Sequence, residues 1–267
     1  MKIYAYNIAQ YMHEELKKKY PEIIFIKNTE NLLEEIKEED IFICMWDDKD
    51  TLNRIKQIEN ELFPRREIIQ FSANREEMTR FVQEHSNFKA EREYVKFEGT
   101  FTTTVPKLNN SLNVVAKVGE EHRGQNKYLM YPGQKLTVNE SVVFEEFLDN
   151  ARSFRVLLIG TDVFIIDYFD DPKNPKPIEQ RWIKNLNPIL EENLHHEKYR
   201  DAIDDAKHLS KALAFDYLGV DYVQNEEKLV CLEANTFPGV RLNERTRRAA
   251  LNYWIKKISE IKDKRNV

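Results

Sequence analysis

The sequence predicts an α+β protein whose first lobe is a small α/β unit, on three observations. Residues 1–85 alternate short apolar runs with amphipathic stretches, which indicates parallel strands joined by crossover helices. Residues 94–97 and 101–105 are rich in β-branched and aromatic side chains, which favours antiparallel strands. Residues 142–261 combine strongly apolar strands with two amphipathic helices. We therefore expect more than one sheet.

The first lobe is predicted to alternate strand and helix along its whole length. Apolar positions three and four residues apart mark the helices, and short apolar runs mark the strands. The predicted order is a strand at 3–6, a helix at 8–19, a strand at 23–26, a helix with Leu32, Leu33 and Ile36, a strand at 41–45, a helix with Ile55, Ile58 and Leu62, a strand at 68–71 and a helix at 75–84. This order predicts one open parallel sheet.

The residue pattern changes near residues 86–92, from alternating apolar and amphipathic stretches to β-branched and aromatic runs. We place the boundary after the first lobe there. Strands are predicted at 94–97, 101–105, 142–144, 156–159, 163–166, 220–223 and 228–233, and helices at 199–215 and 244–261. Gly160-Thr161-Asp162 predicts a hairpin turn. The proline-rich, charged residues 170–188 predict a loop, which would be either a lid over another part of the chain or a disordered surface segment. The predicted domains are residues 1–88, 89–148 and 149–267.

Charge and composition narrow the classes of partner. The chain has 267 residues, with 41 lysines and arginines against 46 aspartates and glutamates and a formal charge of -5. This balance gives no general attraction to a phosphate backbone, so we expect no nucleic-acid partner. No apolar run approaches membrane-spanning length and no signal-peptide pattern opens the sequence, so we expect no membrane and a cytoplasmic location. Cys44 and Cys231 lie in apolar runs and are predicted to be buried thiols.

The most informative segment closes an apolar strand with a carboxylate and an amide. Glu233 and Asn235 are two residues apart, so their side chains point to the same face. Asp221 lies upstream in a strand that can pair with this one. Carboxylate and amide oxygens suit Mg²⁺, which keeps waters and binds mainly through substrate phosphates. Each acid alone fits a surface strand end, but the combination favours a metal site.

The second segment is a lysine, Lys117, inside the apolar strand at 114–118. A buried ammonium is costly unless an anion neutralises it, and a nucleotide phosphate would do so. The alternative is a lysine that extends its amine to the surface. The loop at 119–124 matches neither a Walker A loop nor a dinucleotide fingerprint.

The third segment, residues 143–148, runs from an apolar strand into paired acids and back to apolar residues. We expect this pattern at a hinge between lobes that offers backbone groups to an adenine ring. Ordinary surface acids would explain Glu145 and Glu146 equally well. The position of the segment ahead of the hairpin that contains Arg155 makes it informative.

Taken in order, these segments resemble the ATP-grasp superfamily, and within it the branch of glutathione synthetase, the lysine-biosynthesis carrier-protein ligase and the ribosomal-protein glutamate ligase. The strongest likeness is Gly219-Val220-Asp221 followed by Leu232-Glu233-Ala234-Asn235 and Pro238-Gly239. Val114-Val115-Ala116-Lys117 is similar to the family's "VVxK". The resemblance covers essentially the whole chain and implies an ATP-grasp fold that follows a small N-terminal open-sheet domain.

The resemblance implies a site for ATP and a divalent cation. Asp221, Glu233 and Asn235 correspond to the ligands of Mg²⁺, for which Mn²⁺ is an expected substitute. Lys117 corresponds to the lysine on the α- and β-phosphates of ATP. The residues implied around the adenine are Glu145, Glu146, Phe147, Leu148 and Leu232.

The resemblance also implies the rest of the nucleotide site, with two departures from the family pattern. Arg155 corresponds to the arginine of the family's "DxR", in which Ser153 replaces the acid, so Asp149 is expected to hold the ribose instead. Where relatives carry an Asp-Lys pair at the start of a helix, this chain has an asparagine followed by Arg75, which keeps the positive charge. Asn185 corresponds to a residue that faces the γ-phosphate and the activated acid.

The implied activity is that of an ADP-forming ligase, which joins the carboxylate of an amino-acid, peptide or protein substrate to an amine through an acyl phosphate. The tetrahedral oxyanion of such a reaction needs a nearby cation. A third departure, Ile183 in place of a family arginine, leaves Lys184, Arg181 and Arg241 as the candidate catalytic cations. Arg241 is preferred because it lies just beyond the Pro-Gly turn.

Other functions stay open at this point. An ATP-grasp kinase would phosphorylate its substrate and stop, and a nucleotide-binding protein without turnover would account for the departures at Ser153 and Ile183. A protein that binds no nucleotide would leave the coincident motifs unexplained. The sequence also leaves open whether the chain forms a homo-oligomer.

Overall fold

The structure is a computed structural model in which the predicted strands and helices can be compared with the observed ones. It describes residues 1–6, 8–26, 36–44, 61–73, 75–96, 99–109, 111–119, 127–149, 151–168, 189–190, 196–236, 238 and 244–265. The predicted lid at 170–188 and most of the loop after Lys117 lie outside these residues.

The first lobe is an open parallel sheet, as the alternating pattern predicts. Its strands are β1 (Ile3–Tyr6), β2 (Ile23–Ile26), β3 (Ile41–Cys44) and β4 (Glu61–Phe63), in the order β2-β1-β3-β4. All three pairings are parallel. The described helices are α1 (His13–Lys19), which follows a 3-10 turn at Gln10–Met12, α2 (Arg66–Ala73) and α3 (Arg75–His85).

One predicted strand of this lobe is wrong. Residues 68–71 form part of helix α2, and the fourth strand is β4, which contains Leu62 of the predicted preceding helix. Ile68 belongs to the core beneath the sheet, while Ile69 belongs to the small core on its other side. An apolar run this short is compatible with both a buried helix and a strand, because it shows no clear periodicity. The tertiary packing determines which of the two forms.

The middle of the chain forms antiparallel strands, as predicted. The four strands of the larger sheet, here called the central sheet, are β5 (Arg92–Val95), β7 (Val114–Val118), β8 (Lys127–Met130) and β10 (Val142–Glu146), in the order β5-β10-β7-β8. A separate antiparallel pair contains β6 (Phe101–Thr104) and β9 (Lys135–Val138). Val114, Ala116 and Phe144 bury the face that packs against this pair.

The last part of the chain forms a second antiparallel sheet, here called the C-terminal sheet. Its strands are β11 (Arg152–Ile159), β12 (Asp162–Tyr168), β13 (Ile189–Leu190), β14 (Tyr217–Gln224) and β15 (Leu229–Asn235), in the order β13-β12-β11-β14-β15. The helices described here are α4 (Arg200–Leu213), which follows a 3-10 turn at His196–Tyr199, and α5 (Glu244–Arg265). The predicted hairpin turn at Gly160 joins β11 to β12.

The C-terminal sheet is covered on both faces, which explains its continuous apolar runs. On β11, Val156 and Leu158 belong to the core with α4, whereas Leu157 and Ile159 belong to the core with α5 and the first lobe. Strands that bury both faces lose the alternation of apolar and polar residues. Arg155 shares the face of Leu157 and Ile159, beyond the part that α5 covers.

Helix α5 connects the first lobe to the C-terminal sheet. The Trp254 ring packs edge-on against Phe63 of β4, with ring centroids 5.0 Å apart. The Tyr20 hydroxyl donates to the carbonyl oxygen of Ile255 at 2.7 Å. No helix of the described residues combines the length and the apolar character needed to cross a membrane. Cys44 and Cys231 are buried free thiols, as predicted.

Candidate functional site

The polar residues of β14 and β15 meet on one face of the C-terminal sheet. The two strands pair as the sequence predicts, with Asp221 directly opposite Glu233. A β-bulge follows Asp221 in the register, and Glu233 and Asn235 lie on one face because they are two residues apart. The Asn235 Nδ2 is 3.1 Å from Glu233 Oε1 and 3.4 Å from Asp221 Oδ2. Two carboxylates and an amide therefore converge.

Arg155 extends this cluster from the neighbouring strand. Its Nε and Nη2 donate to the two carboxylate oxygens of Asp221, both at 2.6 Å. Both side chains of this bidentate pair are buried. Gly219 makes room for it, because a Cβ at this position would lie 3.1 Å from Arg155 Cδ and 2.7 Å from Pro238 Cβ. The glycine of the Gly-Val-Asp motif is thus required by the packing of Arg155 and Pro238.

Lys117 and Glu145 form a second cluster on the central sheet. Lys117 Nζ lies 2.6 Å from Glu145 Oε1, and the two side chains are 9% and 3% exposed. Burial lowers the pKa of Lys117 to about 8, although Glu145 opposes the shift. Burial would raise the pKa of Glu145, but the charges of Lys117 and Arg92 outweigh it and hold that pKa below its ordinary value.

Arg92, the first residue of β5, joins the two clusters. Its Nε donates to Glu145 Oε2 at 2.6 Å. Its Nη2 donates to the carbonyl oxygens of Leu232 at 2.6 Å and Cys231 at 3.3 Å, both in β15. A continuous series of polar contacts therefore runs from Lys117 through Glu145 and Arg92 to the strand that contains Glu233 and Asn235.

The segment before Arg92 lies along β15 and brings the two sheets together. The backbone amide of Cys231 donates to the carbonyl oxygen of Phe88 at 2.7 Å, and Lys89 forms an isolated parallel bridge with Cys231. On the central sheet, the Glu146 carboxylate accepts Lys228 Nζ at 2.6 and 2.8 Å. Lys228 immediately precedes β15, so both Arg92 and Glu146 connect the central sheet to this strand.

Solved structures share this arrangement of two antiparallel sheets after an open parallel sheet. A D-alanine–D-alanine ligase from Bacillus anthracis complexed with ATP has a TM-score of 0.63 and 13% identity, covering 99% of each chain. A RimK domain ATP-grasp protein from Sphaerobacter thermophilus has a TM-score of 0.59 and 10% identity, over 96% of this chain and 99% of that one. The chain has the ATP-grasp fold.

A third similar structure is an ATP-grasp ligase that was solved with a bound peptide. The Chryseobacterium gregarium RiPP-associated ATP-grasp ligase, in complex with ADP and a leader and core peptide, has a TM-score of 0.55 and 13% identity and covers 95% of this chain and 96% of its own. No protein-family model matches the sequence, and no curated protein matches it. At 10–13% identity, these comparisons show the fold alone.

The residues predicted around the adenine lie at the end of β10, just after it, and on β15. Glu145 and Glu146 end β10 with buried side chains, and the partly buried Phe147 and Leu148 follow. The side chains of both glutamates bind protein groups, Glu145 in its cluster and Glu146 with Lys228 and the amide of Glu91. Their contribution to an adenine site would come from the backbone that they hold in place. Leu232 is partly buried on β15.

The remaining predicted residues fall at the margins of the site or outside the described residues. Asp149 is exposed beyond β10, and Ser153 is half-buried on β11 on the same face as Arg155. Arg75 is the first residue of α3, and its side chain lies outside the described part. The structure does not describe the candidate cations Arg181, Lys184 and Arg241, nor Asn185. Their roles stay predictions.

Arg92 is the residue that the sequence analysis missed. It stands in the charged stretch at 89–93, where an arginine is ordinarily a surface residue. Its partners lie 53 and 140 residues away along the chain. The available signal was its position two residues before Tyr94 in a predicted β run, which places both side chains on one face.

Proposed function

We propose that the protein is an ATP-dependent carboxylate–amine ligase that releases ADP and forms its product through an acyl phosphate. The observation that carries the proposal is the series of contacts from Lys117 to the Asp221, Glu233 and Asn235 group across a cleft of an ATP-grasp fold. A cation and a set of hard oxygen ligands face each other there, as a nucleotide with its metal ion requires.

Lys117 is proposed to bind the α- and β-phosphates. An ammonium has three N–H donors, so its contact with Glu145 does not preclude contacts to phosphate oxygens. Its burial in an apolar strand strengthens such contacts, because the charge is poorly screened there. A phosphate would also offset the cost that burial imposes on the ammonium.

The donor set fits Mg²⁺, with Mn²⁺ as a substitute. Asp221 and Glu233 are opposite each other, and Asn235 Nδ2 donates to both carboxylates, so the Asn235 carboxamide lies beside them and would turn its oxygen toward a bound metal ion. Among the described residues, no three His, Cys, Asp or Glu side chains form a metal-binding group. Mg²⁺ needs only a few protein ligands when phosphates and water complete its coordination shell. Bound Mg²⁺ would supply neutralisation of phosphate charge.

The proposed chemistry has two steps, both of which depend on positioning. An oxygen of the substrate carboxylate attacks the γ-phosphorus, the bond to the bridging oxygen of ADP breaks, and an acyl phosphate forms. The amine nitrogen then attacks the acyl carbon and loses a proton, and inorganic phosphate leaves. Arg155, held by Asp221, sits beside the metal ligands and contributes positive charge to this region. Arg241, Lys184 and Arg181 remain the proposed cations for the second step.

Amino acids, peptides and proteins are the proposed substrate class. Among the structures with the same fold, one is a D-alanine–D-alanine ligase and one contains a leader and core peptide. These names describe those proteins, and they justify a screen across free amino acids and peptide pools. Neither of them names the acid or the amine that this chain uses.

The test is a coupled ADP-release screen with MgATP against amino acids, dipeptides and peptide pools. The expected products are ADP and inorganic phosphate, and hydroxylamine in place of the amine should yield a hydroxamate from the acyl phosphate. AMP as the stoichiometric product would contradict the proposal. A stable phosphorylated product that needs no amine would indicate a kinase, and tight MgATP binding without turnover would indicate a nucleotide-binding protein.

A further inference from the structure

Arg92 has an environment that a surface arginine never has. Its side chain is completely buried. It donates to Glu145 of the central sheet, to the carbonyl oxygens of Cys231 and Leu232 in β15, and to Gln83 Oε1 of α3 at 3.3 Å. Only a planar fork of several donors serves acceptors in three parts of the chain at once.

The charges around Glu145 do not balance. Arg92, Lys117 and Glu145, here called the Glu145 cluster, contain two cations and one carboxylate, with side chains 0%, 9% and 3% exposed. Each cation contacts a different oxygen of the carboxylate at 2.6 Å. Among the described residues, Lys127 of β8 and Glu233 of β15 also act on the pKa of Lys117, and their charges have opposite signs. The cluster itself keeps an excess positive charge away from water, which an anion would relieve.

We infer that Arg92 is a positioning residue of the nucleotide site, which keeps Lys117 available to a phosphate by sharing the Glu145 carboxylate. This inference rests on the proposed binding of ATP at Lys117. With Arg92 present, Glu145 neutralises neither cation completely. Without Arg92, Glu145 and Lys117 form a closed neutral pair, and a phosphate has to compete with the carboxylate for the ammonium.

The contacts to β15 give Arg92 a second positioning effect. The guanidinium bonds to the carbonyl oxygens immediately before Glu233. It therefore ties the cluster that faces the phosphates to the strand that holds the metal ligands. Lysine at this position would keep the charge but not the fork.

The test compares MgATP affinity, by isothermal titration, in the wild type and four variants. Arg92→Met should weaken binding about tenfold or more, because a charge-assisted contact to phosphate is weakened. Arg92→Lys should lose less affinity than Arg92→Met, because the charge beside Glu145 remains although the fork to β15 is lost. Arg92→Met combined with Glu145→Gln should regain most of the lost affinity, because a neutral side chain no longer competes for Lys117. Arg80→Met, an exposed arginine of α3, is the control and should change nothing.

Two further readouts separate this role from a purely structural one. In steady-state assays, Arg92→Met should raise the KM for ATP by more than it lowers kcat. The pH above which ATP binding weakens should also move upward, since the repulsion of Lys117 by Arg92 is removed. A double variant no better than Arg92→Met, or an Arg92→Met protein that binds ATP normally, would overturn the inference.

Folding and the underlying proposal are checked separately. If Arg92→Met does not fold, as judged by circular dichroism, the Arg92→Lys variant tests the inference instead. A loss of MgATP affinity of about tenfold or more in Arg92→Lys would then overturn the charge argument. If the wild-type protein shows no Mg²⁺-dependent ATP binding, the proposed function itself fails. If the wild type binds and the variants do not differ from it, only the role of Arg92 fails.

Discussion

Two buried polar clusters lie at the two ends of the segment 86–92, and they differ in charge. At one end, Asp205 accepts Ser86 Oγ at 2.8 Å, the amide of Asn87 at 2.7 Å and the Tyr222 hydroxyl at 2.9 Å, and these residues form the Asp205 cluster. These donors are neutral. At the other end, the Glu145 cluster contains two cations for one carboxylate.

The difference shows that some buried polar groups stabilise the fold, whereas others are suited to binding a ligand. The Asp205 cluster is satisfied by hydrogen bonds from its own chain, and it fixes the segment after α3 against α4 and β14. A buried network of this kind specifies a position. Among the described residues, the Glu145 cluster has two positive charges for one negative charge and lies against β15, so we expect it to suit an anion. The predictions below test this contrast, from the largest expected effect to the smallest.

Removing a ligand charge on the binding side should have the largest effect. Glu233→Gln is expected to abolish turnover and to weaken Mg²⁺-dependent ATP binding, because it would remove a ligand charge from the proposed metal site. Asp221→Asn should do the same, with an added loss of stability because Arg155 loses its bidentate partner. ADP release and titrations with and without Mg²⁺ measure both effects. Glu227→Gln, which changes an exposed acid in the turn before β15, is the matched control. Full activity in both Glu233→Gln and Asp221→Asn would contradict the assignment of these residues to a metal site.

Truncating the buried cation should have the next largest effect. Lys117→Ala is expected to raise the dissociation constant for ATP about tenfold or more, since one buried charge-assisted contact contributes on the order of 1.5 to 3 kcal/mol. Isothermal titration measures it. The exposed Lys135→Ala serves as the control, and an unchanged affinity in Lys117→Ala would show that the lysine has no part in the nucleotide site.

A substitution in the Asp205 cluster should change the stability of the protein and leave its affinity for ATP unchanged. Asp205→Asn is expected to lower the free energy of unfolding by about 1 to 3 kcal/mol, because it leaves buried donors facing a poorer acceptor. Chemical denaturation measures this change, with the exposed Asp201→Asn as control. The folded variant should bind ATP as the wild type does. A selective loss of ATP affinity at unchanged stability would contradict the structural role of this cluster.

The smallest effect is a pH dependence of ATP affinity. The pKa of Lys117 is about 8 in the free protein, below the ordinary 10.5, so the ammonium is charged below that pH and loses its proton above it. Phosphates favour the charged form, so the affinity should be constant below pH 8 and fall by at most about tenfold per pH unit above it. Calorimetry should detect proton uptake on binding at pH 9. Lys117→Arg should abolish the fall, and a wild-type affinity that is flat to pH 10 would argue against titration of Lys117.

The sequence by itself determined the elements whose signals are local. The parallel first lobe, the antiparallel strands that follow, the hairpin at Gly160 and the pairing of the Asp221 strand with the Glu233 strand were all predicted. Periodicity and the two-residue repeat of a strand act over a few positions, so they are visible in the sequence. For the lysine inside an apolar run, the sequence left a buried cation and a surface amine as alternatives, and the structure buries Lys117.

Only the tertiary structure decided the identity of α2 and the partners of Glu145. An apolar run as short as 68–71 fits a strand or a helix, and packing between two cores made it a helix. Arg92 is recognised only when β5 lies beside β10 and against β15, because its acceptors are 53 and 140 residues away. The order of the strands sets such contacts, and no local pattern reports them. The charge imbalance at Lys117 is therefore a property of the assembled fold.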